Sequence, residues 1–72
     1  MGFLAFIQKL LAIWAAISPF LVPANLAQAE AAFEQAISDA KTGNYQMVLA
    51  DLVTALTSLI PAHAQTIKNA AA

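Results

Sequence analysis

The side chains able to carry acid–base or metal chemistry are few in this 72-residue chain. His63 is the single histidine, and histidine is the side chain that most readily gains and loses a proton near neutral pH. No Asp, Glu, Ser or Cys stands at a spacing from His63 that would build a catalytic pair, since Asp51 lies about three helical turns away and beyond Pro61. We therefore interpret His63 as an ordinary surface residue.

Glu30 and Glu34 are the second candidate for chemistry, because residues four apart share one face of a helix. Two carboxylates so placed can act as an acid–base pair, but we interpret them as part of a solvated helix surface. Cysteine is absent, which excludes disulfides and thiolate metal sites. With no nucleophile–base pair and no phosphate-binding loop, the sequence predicts no catalytic, cofactor-binding or metal-binding residues, and it predicts a protein that is not an enzyme.

The composition indicates where the protein resides, in contact with a membrane or with other subunits, and does not indicate a catalysed reaction. The chain is 61% hydrophobic and 10% charged, whereas about 25% of the residues in an ordinary globular protein are charged. Its three lysines are widely separated and arginine is absent, so direct nucleic-acid contact by the monomer is not expected. A chain this short without a disulfide or a metal generally gains stability from oligomerisation or from a membrane.

Proline and glycine divide the alanine-rich sequence into helices. Pro19 and Pro23 bracket a turn, Gly43 favours a helix end, and Pro61 favours another. We predict an all-α fold with three main helices at 2–18, 24–42 and 44–60, plus a short C-terminal helix at 62–70. Residues 1–22 would form an apolar membrane or assembly helix and its link, and residues 23–72 an amphipathic helical hairpin with the short C-terminal helix.

The first helix has a bulky apolar face and a face of small or weakly polar residues such as Ala12, Gln8 and Lys9. We predict that the bulky face contacts lipid or neighbouring subunits. Its members are Phe3, Phe6, Ile7, Leu10, Ile13, Trp14 and Ile17.

The second and third helices each have an apolar side that can pack within the hairpin. The residues predicted to do so are Phe33, Ile37, Tyr45, Leu49, Leu52 and Leu56. Asp51, Thr54 and Ser58 fall on the opposite side of the third helix and would form its polar face.

Residues 43–61 also carry a pattern of small and apolar residues: Gly43-Asn44-Tyr45, eight residues, Thr54-Ala55-Leu56, then Ser58 and Ile60-Pro61. This pattern resembles a stretch of the small α-helical channel proteins of the corynebacterial outer membrane. Such proteins are short, free of cysteine, amphipathic and oligomeric, so the resemblance implies a pore-forming homo-oligomer. It covers about a quarter of the chain, and that family has no counterpart of residues 1–22.

Three functions follow from these observations. The first is a small membrane-associated, self-assembling α-helical protein of the cell envelope or exterior, pore-forming or membrane-active, with lipid and copies of itself as partners. The second is a structural coat or filament subunit, located in a virion or filament. The third is a secreted helical interaction module, because Ala27-Gln28-Ala29 resembles a signal-peptide cleavage site that would remove residues 1–29.

Overall fold

The structure, a computed structural model, describes residues 2–72. Its four α-helices are α1 (Phe3–Ile17), α2 (Pro23–Asp39), α3 (Tyr45–Leu59) and α4 (Ala64–Ala71). Single 3₁₀ turns extend α1 and α2 and precede α4, at Ser18–Phe20, Ala40–Thr42 and Pro61–His63. Within residues 2–72 there is no strand. The predicted all-α fold, with three main helices and a short C-terminal one, is confirmed.

The helix ends follow from local chemistry. Pro23 is the first residue of α2, and the Asn25 side chain accepts a hydrogen bond from the Val22 N–H at 2.9 Å. Gly43 adopts the left-handed backbone conformation, with φ of 84°, which glycine reaches without a steric penalty. Asn44 then caps α3 by accepting from the Met47 N–H at 3.5 Å.

Aromatic contacts fix the directions of the helices. At one end of the molecule, Phe3 and Phe6 of α1 pack on Tyr45 at the start of α3, with ring centroids 6.2 and 5.1 Å apart. At the other end, Phe20 stacks on His63. Helices α1 and α3 are therefore parallel, and α2 and α4 run in the opposite direction. Helix α2 packs mainly on α3, whereas α4 packs on α1 and α3.

One hydrophobic core receives side chains from all four helices. Its buried members are Phe6, Leu10, Ile13, Ile17, Ala29, Ala36, Ala40, Val48, Leu49, Leu52, Leu56, Ile60 and Ile67. Residues 1–22 and 23–72, which the sequence suggested as separate units, both contribute to this core.

Helix α2 meets α3 through alanines rather than through its larger side chains. Ala29 and Ala36, with Ala40 in the following turn, are buried, and their small size lets the two helices approach closely. Ile37, predicted to pack within the hairpin, is instead 51% exposed. The reason is geometric: Ile37 is rotated about 100° from Ala36 on the helix, which turns its side chain away from α3.

Thr57 of α3 carries a buried hydroxyl group that finds no hydrogen-bond partner among residues 2–72. Replacing Thr57 with valine keeps the shape and removes this group, so we expect the free energy of unfolding to rise by about 1 kcal/mol. Chemical denaturation measures this change in the free energy of unfolding. Thr54→Val is the control, because the Thr54 hydroxyl is exposed and donates to the Ala50 carbonyl at 3.0 Å. Equal effects of the two changes would contradict the prediction.

Candidate functional site

The residues considered for chemistry do not form a catalytic cluster. His63 lies parallel to the Phe20 ring, with centroids 3.8 Å apart and an interplanar angle of 12°. Glu30 and Glu34 are exposed on α2. Among residues 2–72, no three His, Cys, Asp or Glu side chains are grouped so that they could hold a metal ion. That the protein lacks enzymatic activity and cofactors stays a prediction, and the feature that stands out is a surface.

The exposed side of α1 is apolar. Six of its residues are exposed, and Gln8 is the only polar one among them. Leu4 is 70% exposed, Leu11 64% and Phe3 59%. A helix at the surface of a water-soluble protein normally presents polar residues on this side. We name the following set the apolar face of α1: Phe3, Leu4, Ile7, Leu11, Trp14 and Ala15.

Helix α2 extends this apolar face. The Trp14 and Phe33 rings meet edge to face, with centroids 5.3 Å apart and an interplanar angle of 89°, which places one flank of α2 beside α1. Leu26 and Ile37 lie within about 40° of Phe33 on the helix projection, and both are exposed. We call the apolar face of α1 together with these three residues of α2 the apolar surface.

The exposed side of α3 is more polar than that of α1. Both helices direct their buried sides into the same core, so the exposed side of each points away from that core. The exposed side of α3 carries polar and small residues, with Met47 the large apolar exception. Its polar members, which we call the polar face of α3, are Gln46, Asp51, Thr54 and Ser58. The folded molecule therefore presents an apolar exposed side on α1 and a more polar one on α3.

The predicted contact residues of α1 divide into two groups. Phe6, Leu10, Ile13 and Ile17 are buried in the core of the chain itself, not presented to lipid or a neighbour. Phe3, Ile7 and Trp14 belong to the apolar face. The division arises because α3 and α4 cover the bulkiest side of α1, so side-chain size alone did not indicate exposure.

Two large exposed side chains of α1, Leu4 and Leu11, were not predicted as contacts. Leu4 and Leu11 fell at the margin of the bulky face, yet they are the most exposed residues of α1 with large side chains. The sequence did indicate them in one way, because they are leucines seven residues apart on one side of the helix. An exposed helix normally carries charged residues on that side.

The other residues predicted to pack within the hairpin lie in the core or at its edge. Leu49, Leu52 and Leu56 are buried, whereas Phe33 and Tyr45 are half-buried and pack against the core from its edges. Those two aromatic side chains contact α1 through Trp14 and Phe6. They therefore connect the hairpin to the helix that carries the apolar face.

The stretch Phe3–Phe20 is long and apolar enough, by length and composition, to cross a membrane. About a fifth of this stretch is buried inside the fold, and half of its residues are exposed. No family model, no curated protein and no solved structure matches this chain.

Proposed function

We propose that this protein is a small membrane-associated, self-assembling α-helical protein that contacts lipid through its apolar surface. One observation carries the proposal: the exposed residues of α1 are apolar except for Gln8. Contiguous exposed apolar patches on small proteins mark contact with a membrane or with another protein. The polar face of α3, which contrasts with the exposed side of α1, supports a molecule that contacts both an apolar phase and water.

The size of the apolar face favours binding by several copies together. Removing Phe3, Leu4 and Leu11 from water at their observed exposure gains about 3–6 kcal/mol. Such a gain corresponds to affinity near the millimolar range for one copy. Linked copies bind far more tightly because each additional contact is intramolecular. Self-assembly would therefore strengthen membrane association.

An assembly that crosses the bilayer would turn the apolar surface towards lipid and the polar face of α3 towards an aqueous lumen. Asp51 would then be the charged residue in contact with the lumen. The resemblance of residues 43–61 to helical channel proteins agrees with this arrangement, which we include in the proposal as pore formation.

Flotation with liposomes tests the lipid contact. We expect the wild-type protein to float with liposomes and the double variant Leu4→Glu, Leu11→Glu to bind about a hundredfold more weakly. The matched control is Ala31→Glu, Ser38→Glu, which adds the same charge at the same seven-residue spacing on the exposed side of α2. The control is expected to float like the wild type. Equal flotation of both double variants, or none by the wild type, would contradict the proposal.

Conductance across planar bilayers tests the pore. We expect the wild type to raise the conductance and the Leu4→Glu, Leu11→Glu variant not to do so. Flotation without conductance would limit the function to surface association. Regular filaments in electron micrographs, formed without lipid, would instead favour the coat or filament subunit.

The structure also bears on a secreted module made by removing residues 1–29. That removal would take five side chains out of the single core: Phe6, Leu10, Ile13, Ile17 and Ala29. The remaining helices would expose the surfaces that these side chains cover. The longer form is therefore the one in which this core is complete.

A further inference from the structure

A cavity of about 610 Å³ lies between α1, α3 and α4. This volume falls within the range of small-molecule sites, about 300–1,000 Å³. On α1 the lining comes from Lys9, which the helix projection places roughly opposite the apolar face. The cavity and the apolar surface are thus separate features.

The wall of the cavity is apolar and its rim is cationic. Leu49, Ala50 and Val53 of α3 form the wall, and Lys9 and Lys68 stand at the edge. Two of the three lysines of the chain therefore line this one cavity. Such a pair of cations beside an apolar wall matches a ligand with an anionic head and a hydrocarbon chain.

The acidic side chains lie elsewhere. Asp39 and Asp51 line a groove between α2 and α3, and Glu30 and Glu34 are exposed on α2. None of the side chains described as lining the cavity is a carboxylate. The lining therefore offers the two lysines no acidic side chain as a partner, and Lys9 contacts main-chain oxygens instead.

Lys9 is held in position by main-chain oxygens. Its ammonium group donates to the Ala72 carbonyl at 2.6 Å and to the Ala71 carbonyl at 3.3 Å. An ammonium group has three N–H donors, so one remains for a ligand. Lys68 is exposed at the other side of the rim and can move to meet the same anionic head.

We infer that this cavity binds a single-chain anionic amphiphile, with its head between Lys9 and Lys68 and its chain against Leu49 and Val53. A small inorganic anion would leave the apolar wall in water, and a neutral lipid would leave Lys68 and the third N–H of Lys9 without an anionic partner. Only an amphiphile satisfies both parts of the cavity. The inference does not depend on the apolar surface contacting lipid.

Calorimetric titration with dodecanoate below its micelle concentration tests the site, in buffer without vesicles or detergent. We expect saturable binding that weakens about tenfold in Lys68→Gln, because one charge-assisted contact is lost. Lys41→Gln is the matched control, since it removes the same charge outside the cavity lining. It is expected to bind like the wild type. Lys9 is left unchanged because it also holds the end of α4.

A second variant tests the apolar wall without altering charge. Ala50→Phe places a ring in the cavity from an exposed position of α3 and is expected to abolish dodecanoate binding while the helical circular dichroism is kept. Dodecanol, the neutral analogue, is expected to bind more weakly than dodecanoate. The inference is overturned if the wild type shows no saturable binding, if dodecanol binds as tightly, or if Lys41→Gln weakens binding as much as Lys68→Gln. Since the dodecanoate titration contains no membrane, its outcome does not depend on whether the protein floats with liposomes.

Discussion

Replacing Leu10 with aspartate is expected to unfold the protein, whereas the same replacement at Leu11 leaves it folded. Leu10 is 5% exposed in the core, and its neighbour points away from the core. Burying an unpaired carboxylate on a side chain too short to reach water costs about 4–5 kcal/mol. The hydrophobic core of a domain this small supplies only about 3–5 kcal/mol of net stability. The loss at position 10 therefore equals the whole stability of the fold.

At Leu11 the aspartate faces solvent, so the cost is confined to helix propensity, less than about 1 kcal/mol. Circular dichroism during thermal denaturation distinguishes the two variants: the Leu11→Asp protein shows a cooperative transition and the Leu10→Asp protein none. Loss of the transition in both would show that the outward side of α1 is covered in the folded monomer, contrary to the structure.

Truncating Phe6 to alanine has the second large expected effect. Phe6 is fully buried and packs on Tyr45 with ring centroids 5.1 Å apart, so it joins α1 to the start of α3. Loss of the ring leaves a cavity and is expected to lower the free energy of unfolding by about 3–5 kcal/mol. Phe3 contacts the same tyrosine at 6.2 Å but is mostly exposed, and Phe3→Ala is expected to cost less than about 1 kcal/mol.

Urea denaturation compares the two phenylalanine variants: Phe3→Ala keeps a transition near that of the wild type, whereas Phe6→Ala, whose loss approaches the whole stability of the fold, shows a strongly lowered midpoint or no transition. If Phe3→Ala destabilises the protein as much as Phe6→Ala, the burial of α1 against α3 is incorrectly described. The pair also separates folding from membrane contact, since Phe3 belongs to the apolar face and Phe6 to the core.

The helices themselves were predictable because their boundaries depend on local chemistry. Pro23 starts α2, Gly43 provides the positive φ between α2 and α3, and Pro61 follows the end of α3. Each of these effects involves only a few neighbouring residues. A single sequence contains all the information that such effects need.

Which side of each helix is buried was less predictable. The sequence placed Leu10 on the bulky face of α1 and Leu11 outside it, but it did not show that most of this bulky face is buried within the chain. That burial comes from α4, which covers the Leu10 side of α1 from the other end of the chain. In α2, the preference for large residues wrongly placed Ile37 inside, because close approach to α3 uses Ala29 and Ala36. The cavity at Lys9 and Lys68 requires the same distant pairing and has no local signal.

The packing of α4 on α1 also affects how the protein folds during its synthesis on the ribosome. Lys9 bonds a carbonyl oxygen 63 residues later in the chain, so α1 is synthesised long before the helix that completes its packing. Until α4 has been synthesised, the core that buries Leu10, Ile13 and Ile17 is incomplete. Nascent α1 therefore exposes apolar side chains on both of its sides. Early binding by a chaperone or by a bilayer would protect it from aggregation.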